Sequence, residues 1–80
     1  MTQEAAAIEI YNAATPGAWN SLADIQQATG LTQAELQAGV QWWMQAEDFR
    51  AEPESHGRRA ATQVAVIIGG EPRHQIRFAE

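Results

Sequence analysis

The sequence predicts an α+β fold: three helices followed by a C-terminal two- or three-stranded antiparallel sheet. Three observations carry this expectation. Up to Glu47 the apolar residues recur at helical spacing, and after Asp48 they alternate with a period of two. Between the second and third helices lies a connection of only Thr29-Gly30-Leu31, the short glycine-containing link of a helix-turn-helix.

Helix one is expected over residues 2–14, with Thr2 as N-cap and Glu4 in the first turn. Ile8 and Tyr11, with Ala7 and Ala14, form its expected apolar face. Thr15-Pro16-Gly17 stops it, because proline disfavours helix in the residue before it. Ala18-Trp19-Asn20 reads as a β stub. Ser21 caps helix two (residues 21–29), with Asp24 in a variant capping box and Leu22, Ile25 and Ala28 as the apolar stripe. Gly30 ends it as a left-handed residue. Thr32-Gln33-Ala34-Glu35 is a capping box that opens helix three (residues 32–47), whose buried face is Leu36, Val40, Trp43 and Met44.

Three strands are expected after that, over residues 49–54, 61–68 and 73–79. In the first, Phe49, Ala51 and Pro53 alternate with Arg50, Glu52 and Glu54. In the last, His74, Ile76 and Phe78 alternate with Arg73, Gln75 and Arg77. Turns fall at Ser55 to Arg59 and at Gly69-Gly70-Glu71-Pro72. Residues 1–80 form one domain, and the order of elements is that of a winged helix-turn-helix.

Composition narrows the function. The chain has no cysteine, which removes disulfides, thiolate metal sites and cysteine nucleophiles. Met1-Thr2-Gln3-Glu4 carries no basic leader and no apolar run approaches a membrane span, so a cytoplasmic location is expected. Ten acids outweigh five cations, giving a net charge of -5. Every cation is an arginine, and none precedes Arg50. An acidic N-terminal part repels phosphates and argues against avid nonspecific nucleic-acid binding.

The residues around helix three carry a family resemblance. Trp19-Asn20-Ser21-Leu22-Ala23-Asp24-Ile25, Ala28-Thr29-Gly30-Leu31 and Glu35 look like the second and third helices of many winged domains. Val40-Gln41-Trp42-Trp43-Met44-Gln45-Ala46-Glu47-Asp48-Phe49 is similar to a pattern in small stand-alone bacterial and archaeal winged helix-turn-helix proteins of unknown function. The resemblance runs from Glu4 to Phe78. It implies the fold and supplies no activity.

Candidate sites follow from that fold. If helix three reads DNA, Gln33, Gln37 and Gln41 face the major groove, where glutamine can pair with adenine. The alternative is a neutral solvated face. Arg58 and Arg59 of the wing tip would meet phosphates, or else serve solubility and pair with Glu52 and Glu54. Trp42 either packs beneath the wing sheet or anchors an interface. Val64-Ala65-Val66-Ile67-Ile68 does not alternate, so it is expected to be covered on both faces or to meet a partner subunit. A homodimer using Trp42, Val64, Val66 and Ile68 is the corresponding expectation.

His56 and His74 have no acid at a ligand spacing, so no metal is expected. Ser21 and Asp24 are accounted for as helix-start residues, and no phosphate loop exists, so neither catalysis nor a cofactor is expected. Two functions stay open: a DNA-binding transcriptional regulator by fold analogy, and an acidic protein-interaction module that does not bind DNA.

Overall fold

The computed structural model describes residues 1–53 and 64–79. Three helices, a three-stranded antiparallel sheet and a two-stranded hairpin make an α+β domain. In order they are α1 (Gln3–Ala13), β1 (Trp19–Ser21), α2 (Leu22–Thr29), α3 (Gln33–Trp43), β2 (Phe49–Glu52), β3 (Val66–Ile68), β4 (Glu71–Arg73) and β5 (Gln75–Phe78). No helix among the described residues is long and apolar enough to cross a membrane.

The helix starts follow local chemistry. The hydroxyls of Thr2, Ser21 and Thr32 accept from the backbone N–H groups of Ala5, Ala23 and Glu35. These donors would otherwise be orphaned in the first turn. Gly30, at φ 73°, ends α2 in the left-handed region. At α3 the box is reciprocal, since the Thr32 N–H donates to Glu35 Oε1 at 2.9 Å. That bond is the main reason the Glu35 carboxyl is held below its ordinary range.

β5 is the centre of the main sheet, in the order β1-β5-β2. Its register sets Arg77 opposite both Trp19 and Arg50, and Ile76 opposite both Asn20 and Ala51. Alternation then buries Phe49, Ala51, Ile76 and Phe78 against the helices and turns Trp19, Arg50 and Arg77 outward. β4 runs directly into β5 through His74. Its N–H donates to the Glu52 carbonyl, and its carbonyl accepts from the Leu22 N–H, both at 2.9 Å. The start of α2 is thereby tied to the sheet. β3 pairs with β4 around Gly69-Gly70, two successive positive-φ residues as a two-residue hairpin turn requires.

The buried face of α1 keeps Ala7 and the partly buried Ala14 of the expected one but not Ile8 and Tyr11. Ala6, Ala7 and Ile10 are inside, whereas Ile8 and Tyr11 are 51% and 46% exposed. The reason is the close crossing of α1 over α3. A Cβ at Gly39 would lie 3.0 Å from the Ala6 carbonyl carbon and 2.5 Å from Ile10 Cδ1. Ala6 lets the backbones approach and Ile10 packs on the bare Gly39, so this face turns inward and Ile8 and Tyr11 are left outside. Ala28, expected in the stripe of α2, is also exposed, while Leu22 and Ile25 are buried.

β3 does alternate. Val66 and Ile68 are buried in the chain's own core and Ile67 is 52% exposed. This corrects the inference of a doubly covered strand. Val66 and Ile68 are not available to a partner subunit.

Two outcomes are expected. Alanine normally stabilises a helix interior relative to glycine. At Gly39 the sign should reverse, with Gly39→Ala costing about 1–3 kcal/mol by overpacking in a denaturant melt. A wild-type or raised midpoint would show that the crossing relaxes freely. Glu35 is a depressed carboxylate. Its contribution is full above the unfolded pKa and lost as pH falls through the folded value. A carboxyl NMR titration should therefore place Glu35 below the roughly 4.3 of a free glutamate side chain.

Candidate functional site

The outward side of α3 is the first surface to consider, because the expected DNA contacts Gln33, Gln37 and Gln41 stand there. All three are engaged within the chain, two of them with the backbone of residues 65–67. Gln33 Nε2 donates to the Ala65 carbonyl at 2.7 Å. Gln37 Nε2 donates to the Ile67 carbonyl at 2.8 Å, and its Oε1 accepts from the Ile67 N–H at 2.8 Å. The Gln37 carboxamide thus treats β3 as a neighbouring strand would. It closes an edge that would otherwise be open to another chain. Gln41 is exposed, and its Oε1 accepts from Gln37 at 3.1 Å. Neither α1, α2 nor α3 contains a cation. Arg58 and Arg59 lie outside the described residues.

The second surface is built on aromatic rings where α1, the end of α3 and the sheet meet. Trp43 is its pivot. The indole N–H donates to the Ala7 carbonyl at 2.8 Å, which fixes the ring across the α1–α3 seam. Trp43 meets Phe78 edge-to-face, with centroids 4.8 Å apart, and Tyr11 meets Phe78 the same way at 5.0 Å. Phe49 and Phe78 are buried, with centroids 5.1 Å apart on opposed positions of β2 and β5. Such pairs add roughly 0.5–1.5 kcal/mol each beyond area burial. Trp42, expected beneath the sheet or at an interface, is half-buried and stacks edge-on against Trp43 at 4.9 Å. Val64 is half-buried and packs on the core.

A cleft of about 220 Å³ opens beside these rings, lined by Tyr11, Trp43, Phe49 and Phe78 and edged by Glu47 and Asp48. That is below the roughly 300 Å³ at which small-molecule sites begin, and it suits a single side chain better than a cofactor. On the other side of the acids lies a wider hollow of about 490 Å³, lined by Arg50 and Arg77 with Glu47, Asp48 and Gly17. Arg50 is held by the carbonyls of Glu47 and Phe49 at 2.9 and 3.0 Å. Arg73 is already engaged, pairing with Glu71 at 2.9 Å and donating to the Ala51 carbonyl. No group of three or more His, Cys, Asp or Glu side chains among the described residues could hold a metal ion.

Sequence reasoning did not assemble the aromatic cleft. Spacing puts Trp43 and Tyr11 on buried helix faces and Phe49 and Phe78 at alternating strand positions, without bringing the four together. The signal that would have found it is the run Ala5-Ala6-Ala7, which offers α1 a small-residue face and frees Tyr11.

Removing the Gln37 amide should expose the β3 edge. Gln37→Ala is expected to cost about 1–2 kcal/mol, given a net ~0.5–1.5 for each lost hydrogen bond. It should also speed hydrogen exchange at the Ile67 amide; unchanged exchange there would mean that the amide does not hold the strand in solution. Compared with family models, curated proteins and solved structures, the chain matches none.

Proposed function

We propose that the chain is a noncatalytic, acidic winged helix-turn-helix module that binds another protein and does not read DNA. The winged reading is supported by the order of elements, by the short turn between α2 and α3, and by the β1-β5-β2 sheet with its last strand in the middle. The observation that carries the functional choice is the docking of β3 on α3. A recognition helix lays its outward side in the major groove. Here Gln33 and Gln37 spend their amides on the Ala65 and Ile67 backbone. Phosphate contacts supply much of the affinity for DNA, and α3 has no cation to make them.

Protein contact has surface at its disposal. Met1, Ile8 and Tyr11 on or beside α1, Trp19 on β1 and Ile67 on β3 are all more than 40% exposed. Self-association through such residues is the form in which the dimer expectation survives, with Ile67 in place of Val66 and Ile68.

The deciding experiment is a titration with mixed-sequence duplex DNA at low and physiological salt. No binding tighter than about 10⁻⁴ M is expected at physiological salt, the weak end of nonspecific affinity. Tighter binding that is lost in Arg58→Ala/Arg59→Ala would overturn the proposal in favour of a wing-based DNA contact.

A further inference from the structure

We infer that the aromatic cleft is a receptor for one cationic side chain, arginine or lysine, presented by a basic segment of a partner protein. The inference rests on the protein-binding reading and gives it a site and a partner chemistry.

Three features converge on this occupant. The first is the wall. Tyr11 and Trp43 are the rings that keep accessible surface, while Phe49 and Phe78 form the buried backing. The indole nitrogen of Trp43 is already committed to the Ala7 carbonyl. The indole lies near-parallel to Tyr11 and Phe49, at 5.7 and 6.2 Å, so it adds carbon surface to the wall with no free donor, and the more exposed Tyr11 ring is the face a visitor meets. A π face attracts a cation within about 6 Å of its centroid.

The second feature is the rim. Glu47 and Asp48 line the mouth of the same cleft, and both are exposed. They stand four and five residues after Trp43, the last residue of α3, and the turn between brings them to the same cleft. A cation seated on the rings would have carboxylates within reach for its N–H groups, and an anion would be repelled. The third is size. At about 220 Å³ the cleft takes a side chain and not a folded surface. The domain's net charge of -5 would steer a basic segment toward it. A nucleic acid is disfavoured by the same charges.

The test uses the 15N-labelled full chain and an acetylated, amidated Gly-Arg-Gly-Arg-Gly peptide. Citrulline and glutamate versions serve as neutral and anionic controls. The arginine peptide is expected to shift the Trp43 indole N–H and the backbone amides from Ala46 to Phe49, with the two control peptides silent. Glu47→Gln/Asp48→Asn changes only exposed side chains and should fold as wild type. It should weaken the arginine peptide by roughly tenfold, about the loss of one charge-assisted contact. Lack of shifts, shifts confined to other surfaces, equal response to citrulline, or unchanged affinity in the double variant would each overturn the inference. The duplex-DNA titration fails separately. A chain that takes the arginine peptide in the cleft and also binds DNA at physiological salt keeps this inference and loses the broader reading.

Discussion

The crossing of α1 over α3 at Gly39 is the contact on which the rest of the molecule depends. Two helices normally pack with axes about 8–10 Å apart, set by the side chains between them. Here Gly39 meets Ala6 with no room for a methyl group. The close approach brings the Ala7 carbonyl within reach of the Trp43 indole. Tyr11 lies at the exposed end of that seam, against both Trp43 and Phe78. The core and the cleft are therefore products of one steric event. A bulkier residue at position 39 would push α1 away and loosen both together.

With α3 so fixed, its opposite side meets β3. A sheet edge is usually closed by another strand, a bulge or a charge. This chain uses a glutamine whose amide has the donor and acceptor of a peptide group. Gln37 satisfies both polar groups of Ile67, and Gln33 satisfies the Ala65 carbonyl. The same four-residue spacing that would let glutamines read bases along a groove also lets them run along an extended strand. Spacing fits both roles, so only the neighbour decides. β3 is that neighbour, and it lies some thirty residues away in the chain.

Much of the fold was legible because its signals are local. Thr2, Ser21 and Thr32 announce helix starts, Gly30 announces a stop, and alternation in Phe49 to Glu52 and in Gln75 to Phe78 gives the strand faces. The face of α1 is less legible, because apolar residues stand nearly all round the helix, at positions 5–8, 10, 11, 13 and 14. Ile8 and Tyr11 look like core residues, but the face that meets α3 at Gly39 is Ala6, Ala7 and Ile10. The apolar run at Val64 to Ile68 looked like a subunit contact because Ile67 breaks the alternation, although Val66 and Ile68 point into the core. The expected third helix to residue 47 is shorter, ending at Trp43. After it the chain turns through Met44 to Asp48, and Glu47 and Asp48 come to edge the cleft. That turn has no strong punctuation, and so the acids read as the tail of a helix.

The arginines of the sheet raise a competing claim on those acids. Arg50 and Arg77 stand directly opposite each other on β2 and β5, an arrangement that costs energy between like charges. Glu47 and Asp48 line the same open hollow and offset that repulsion. Among the described residues, however, the one close ion pair runs between Arg73 and Glu71, so neither acid is locked to Arg50 or Arg77. Exposed charges that do not touch interact weakly and are screened by salt. An incoming cation has an advantage that Arg50 and Arg77 lack. On the cleft side it sheds water against the rings of Trp43 and Tyr11, where its attraction to both ring and carboxylate is strengthened. Arg50 keeps its Glu47 and Phe49 carbonyl partners on the open face. The acids can therefore serve both hollows, and the aromatic wall determines which cation they hold more tightly.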